Sequence, residues 1–124
     1  MTLHQTEQLF TTLSSLAKTS MPIRLAYKIT KLLNQIEKDY SFYIEETKKI
    51  IVKYAERDEQ GQLISTENGS ITLQKNLISE AEKDLLELSE IEVDLPSISF
   101  TLDELETLNI TPSDLQPLLP FIEE

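Results

Sequence analysis

Apolar residues recur at every third or fourth position through the first half of this chain, and the pattern predicts two helices there. In the first, roughly Thr2 to Lys18, Leu9, Leu13, Leu16 and Ala17 form a stripe with Phe10 beside it. Thr2 and Gln5 stand at the spacing of a capping box, which satisfies helix N–H groups that have no partner in the first turn. Thr19-Ser20-Met21-Pro22 interrupts the pattern, and Pro22 suits the first position of the next helix, where a missing N–H costs nothing.

From Pro22 to about Arg57 there is no glycine and no further proline. Ala26, Ile29, Leu33, Ile36, Tyr40, Tyr43, Thr47, Ile50 and Tyr54 alternate at spacings of 3 and 4, a heptad seam interrupted only by Thr47. Leu25, Leu32, Ile44 and Ile51 widen it on one side. At 1.5 Å per residue this helix would run about 50 Å, roughly twice the first. A simple hairpin leaves the distal seam uncovered, so the rest of the chain or another copy must cover it; self-association through Ile36, Tyr40, Tyr43, Ile50 and Tyr54 is the expected answer.

Beyond Arg57 the period changes. Asp58-Glu59-Gln60-Gly61 reads as a turn, and Gln62 to Gln74 as a β-hairpin closed by a two-residue type I′ turn at Asn68-Gly69. That register puts Ile64, Thr66, Ile71 and Leu73 on one face, with Ser65 and Thr72 opposite. Ile91 to Leu95 alternates as a candidate third strand, and Asn76 to Ser89 reads as a short helix with Leu77, Ala81, Leu85 and Leu88 on one side. In the tail, Thr101 and Thr111 each precede an acid by three residues, predicting two capped helical starts. Leu115, Leu118, Leu119, Phe121 and Ile122 are too apolar to stay undocked. No internal repeat is visible. The expected fold is α+β and mainly α, a single domain over 1–124. It comprises a helical hairpin with one long heptad-patterned helix (1–57), a small antiparallel β element with its helix and strand (58–100), and an acidic helical tail (101–124).

Composition narrows the chemistry. There is no cysteine and only one histidine, His4, which removes thiolate metal sites, cysteine nucleophiles and histidine-rich zinc sites. With two glycines there is no phosphate-cradling loop. No enzyme, cofactor or metal is expected. No apolar run reaches the length of a membrane span and no leader pattern opens the chain, so a cytoplasmic or virion-associated protein is expected. The net charge of −11 speaks against nonspecific nucleic-acid binding. It is unevenly spread: residues 1–57 hold nine basic side chains against six acidic, and 58–124 hold two against sixteen. Within the basic half, Arg24, Lys28 and Lys31 stack on one helical face with Tyr27 beside them. They are candidates for a phosphate-bearing ligand, an acidic partner or nucleic acid; the competing reading is that this face meets the acidic second half or is merely solvated.

Three stretches carry a resemblance. Met21-Pro22-Ile23-Arg24-Leu25-Ala26-Tyr27-Lys28-Ile29-Thr30-Lys31, Lys53-Tyr54-Ala55-Glu56-Arg57-Asp58-Glu59-Gln60-Gly61, and the acidic end from Ile110 to Glu123 resemble a family of short bacteriophage and prophage proteins of unknown function. The resemblance implies a phage origin and assigns no catalytic residue. The expected function is that of a non-enzymatic accessory protein working by protein–protein interaction, on a host factor or in virion assembly, as a homo-oligomer. Two alternatives stand beside it: an acidic DNA mimic that inhibits a nuclease, and an oligomeric nucleotide binder using Arg24, Lys28 and Lys31.

Overall fold

The computed structural model describes residues 1–65 and 69–123. The chain divides into two compact units, Met1–Tyr40 with Glu92–Glu124, and Ser41–Ile91. These boundaries differ from the three segments of the sequence reading.

The first unit is built on helix α1 (Leu3–Leu16) and the opening turns of α2 (Ile23–Lys53). Thr2 caps α1 as its spacing predicts: its hydroxyl accepts the Gln5 N–H at 3.2 Å, and its own N–H donates to Gln5 Oε1 at 2.8 Å. Pro22 lies one position before α2, not in its first turn, and its carbonyl accepts the first helical bond from Ala26 at 3.0 Å. The buried stripe of α2 is Leu25, Ile29, Leu32 and Ile36, so the core uses the flank of the predicted seam as much as its centre. A helix needs only one apolar face, and Leu25 and Leu32 bring more hydrocarbon to it than Ala26 does. Leu9, Leu13 and Leu16 of α1 meet this stripe.

The tail closes the same core. Strand β1 (Phe100–Thr101) runs parallel to β2 (Ile122–Glu123), joined through helices α4 (Leu102–Leu105) and α5 (Pro112–Leu115) and a 3-10 turn at Gln116–Phe121. Phe100, Leu105, Leu108, Leu118 and Phe121 are buried in the cluster, which is how the apolar tail docks. The expected capping threonines are in place, Thr101 over Glu104 and Thr111 over Asp114. Among the described residues the only regular sheet is therefore parallel, where an antiparallel one was expected. The Ile91–Leu95 segment does not extend a hairpin either. Glu92 bridges Thr2, and Val93 exchanges hydrogen bonds with Met1 (N–H to carbonyl 2.7 Å, α-ammonium to carbonyl 3.1 Å). The alternating pattern correctly marked an extended segment, but pattern does not choose its partner.

The second unit holds the end of α2, a backbone-paired element within 54–65 and 69–74, a 3-10 turn at Lys75–Leu77 and helix α3 (Ile78–Ser89). Ala81 and Leu88 of α3 are buried and Leu85 half-buried, matching the predicted face. Helix α2 stops at Lys53, short of Arg57, because Tyr54 to Asp58 pair instead with later segments. Antiparallel bridges join Ala55 to Leu73, Arg57 to Leu63 and Ser65 to Ile71. The Glu56 N–H donates to the Thr72 carbonyl (2.7 Å), Thr72 to Ile64 (2.9 Å), and Ile64 back to Glu56 (3.1 Å). Three segments thus close a ring in which each pairs with both others, which solves the instability of a lone hairpin without a third outside strand.

The ring corresponds to a spacing of eight residues in the sequence. Its members, Glu56, Ile64 and Thr72, lie eight residues apart, and so do Gly61 and Gly69 in Asp58-Glu59-Gln60-Gly61-Gln62-Leu63 and Thr66-Glu67-Asn68-Gly69-Ser70-Ile71. Both glycines have positive φ, +79° and +81°, which reverses the chain where a side chain would be strained. The Ser65–Ile71 pairing is shifted by one residue from the register of a two-residue turn, which would oppose Ser65 to Thr72. The expected turn at Asn68 and the facing of Thr66 lie outside the described residues.

Candidate functional site

The first turns of α2 carry the predicted cationic row, and the structure splits it. The Lys28 ammonium is held inward. It is 2.8 Å from Glu104 Oε1 and 3.0 Å from the Ser99 carbonyl, and it sits 5.8 Å from the centre of the Phe100 ring. The same Glu104 oxygen accepts the Thr101 N–H at 3.0 Å, so one carboxylate caps α4 and anchors α2. The Lys28 hydrogen bond and then the Thr101 backbone bond hold the Glu104 carboxyl below its usual range, because both favour its charged form. For Lys28 the acidic half of the chain is the partner, as the competing sequence reading had it.

Arg24, Tyr27 and Lys31 have no such partner. All three side chains are exposed and none makes an ion pair or hydrogen bond within the described chain. They border an open cleft of about 640 Å³, walled on one side by α2 and on the other by Ser97-Ile98-Ser99. Ile23 and Tyr27, 83% and 66% exposed, give it an apolar floor. Among the described residues Ser97 and Ile98 make no backbone hydrogen bond, so this wall offers unpaired N–H and carbonyl groups. The cationic face was legible from the i, i+4, i+7 spacing. The opposing wall, about seventy residues away in sequence, left no local signal.

The predicted self-association seam is not open in this way. Ile36 is 2% exposed in the first unit's core, and Tyr40 stacks on Phe10 with ring centres 3.8 Å apart. Tyr54 is 9% exposed and donates its hydroxyl to Asp84 at 2.5 Å. Tyr43 and Ile50 are half-buried. The tail covers the proximal seam and the backbone-paired element takes up Tyr54, two elements that a count of helix lengths leaves out. The Asp84 hydrogen bond, then burial, raises the Tyr54 hydroxyl above its ordinary value.

Among the described residues no group of three His, Asp or Glu side chains is placed to hold a metal ion, and no helix is long and apolar enough to cross a membrane. Comparisons with family models, curated proteins and solved structures gave no match to this chain.

Proposed function

We propose that this chain is a non-enzymatic protein-interaction module, an accessory protein of the phage type its sequence resembles, and that its contact surface is the cleft along the start of α2. One observation carries the reading: Arg24, Tyr27 and Lys31 stand unpartnered around an apolar floor, while Lys28 beside them is locked to Glu104. Large exposed apolar side chains rimmed by free cations are costly to leave in water and useful only to a partner. Binding on this surface replaces the tyrosine seam as the expected mode of interaction.

The nucleotide alternative is weakened by the same geometry. A phosphate chain needs adjacent cations, and the middle cation of the row already has a carboxylate against it. The nuclease-decoy alternative needs a continuous acidic surface, whereas each compact unit mixes the signs. The first holds five basic side chains against eleven acidic and the second six against eleven.

A photo-crosslinking residue placed at Tyr27, compared with one at Glu45 on the exposed distal part of α2, tests the assignment in cells that contain the partner. One protein captured from position 27, lost on Ile23→Asp, is the expected result. Equal capture from both positions, or capture indifferent to Ile23→Asp, rejects it.

A further inference from the structure

The chemistry of the partner can be read from the cleft. The two free cations, Arg24 and Lys31, lie seven residues apart on α2, a separation of about 10 Å along the helix axis. Between them is Tyr27, with Ile23 at one end. The opposite wall is irregular chain that bends at Ser97, and among the described residues the backbone of Ser97 and Ile98 is unpaired. Each feature asks for something different: the cations for two separated anions, the floor for an apolar side chain, the wall for a backbone that donates and accepts.

We propose, resting on the assignment of this cleft as the contact surface, that it takes an extended acidic segment of a partner protein with the pattern acid-x-apolar-x-acid. In an extended chain residues i, i+2 and i+4 face the same side, and i to i+4 spans about 13 Å. The central apolar side chain rests on Tyr27 and Ile23, and the flanking carboxylates reach the flexible ends of Arg24 and Lys31. The peptide backbone hydrogen-bonds to the unpaired N–H and carbonyl groups of Ser97 and Ile98. Separated carboxylates suit this site better than a phosphate cluster does, because the Glu104 carboxylate beside Lys28 repels an anion centred on the row. The net charge of −11 repels an acidic segment at long range, so its docking depends on the local cations of the cleft.

The test is selection of a randomised heptapeptide library on the immobilised full chain, in parallel with Tyr27→Asp and an Arg24→Gln, Lys31→Gln double variant. These side chains are exposed and unpaired, so circular dichroism is expected to show the wild-type fold in both. The wild type is expected to enrich acid-x-apolar-x-acid peptides. The winning peptide should bind the double variant about tenfold or more weakly, the effect of losing two charge-assisted contacts. N-methylation of its central amides should also weaken it, while inorganic pyrophosphate should not displace it. Enrichment that depends on Tyr27 but shows no acidic bias overturns the acidic pattern and leaves the contact surface standing. No enrichment at all overturns both. Displacement by pyrophosphate assigns the cations to a small anion instead. A doubled mass in light scattering that Tyr27→Asp abolishes assigns the cleft to a second copy of this chain.

Discussion

The two compact units reach a folded state by different means. The first buries a continuous cluster of leucines, isoleucines and two phenylalanines drawn from α1, α2 and the tail. The second has among its described residues only Tyr54, Ala55, Ala81 and Leu88 buried, and two of these are alanines. It relies instead on the backbone ring of Glu56, Ile64 and Thr72, and on the Tyr54–Asp84 contact. Hydrocarbon burial adds roughly 1.5–3 kcal/mol per large side chain, whereas a hydrogen bond that replaces one to water nets about 1 kcal/mol. The first unit is thus expected to hold the stability of the molecule, and the second to open at lower free energy.

The sharpest way to break this comparison is to cut each core. Phe100→Ala removes a ring that is 1% exposed and should cost about 3–5 kcal/mol in denaturant unfolding. Leu88→Ala should cost about 2 kcal/mol, appearing as faster amide exchange confined to 41–91. Loss of protection in the first unit from Leu88→Ala would show that the units do not differ in this way.

A smaller effect probes the ring. At Gly61 a Cβ would meet nothing within 4 Å, so Gly61→Ala tests backbone conformation alone. With φ at +79° it should destabilise the second unit by about 1–2 kcal/mol and leave first-unit exchange unchanged. An unchanged second unit would mean that the ring tolerates a different turn.

The smallest effects lie at opposite ends of the pH scale. Glu104 has a depressed pKa when folded, so its contribution is present above the ordinary glutamate value of about 4.3 and is lost as pH falls through the folded value. Glu104→Gln should remove that acid-side slope at a cost of about 1 kcal/mol at neutral pH. Tyr54 has a raised pKa, so its contribution is present below the ordinary tyrosine value of about 10 and is lost as pH rises through the folded one. Ultraviolet titration should show a late-titrating tyrosine that is absent in Tyr54→Phe. All four tyrosines titrating together would remove the Asp84 contact from the account of the second unit.

Charge shows how folding rewrites a linear pattern. Cut at residue 57, the chain is +3 on one side and −14 on the other, from nine basic against six acidic and two against sixteen. Divided as it folds, the units carry −6 and −5, from five against eleven and six against eleven. The acidic tail has folded onto the basic start of α2, and Lys28–Glu104 is one of the contacts that results.

Local periodicity and capping chemistry were enough to set α1 with its Thr2–Gln5 box, the long α2, the face of α3, and the Thr101 and Thr111 caps, because each depends on residues within one or two turns. They also put Arg24, Tyr27, Lys28 and Lys31 on one face. Tertiary structure decided which of the four is free, because neutralisation of Lys28 needs a carboxylate seventy-six residues away. It also decided that Val93 pairs with the chain's start, that β1 and β2 run parallel, that Ile36 and Tyr54 of the seam are buried and that Ser97–Ser99 lines the cleft with Tyr27. The physical reason is the same each time. A side chain's periodicity shows which face wants to leave water, and any sufficiently apolar or oppositely charged surface can satisfy it, so the partner is chosen only when the whole chain packs.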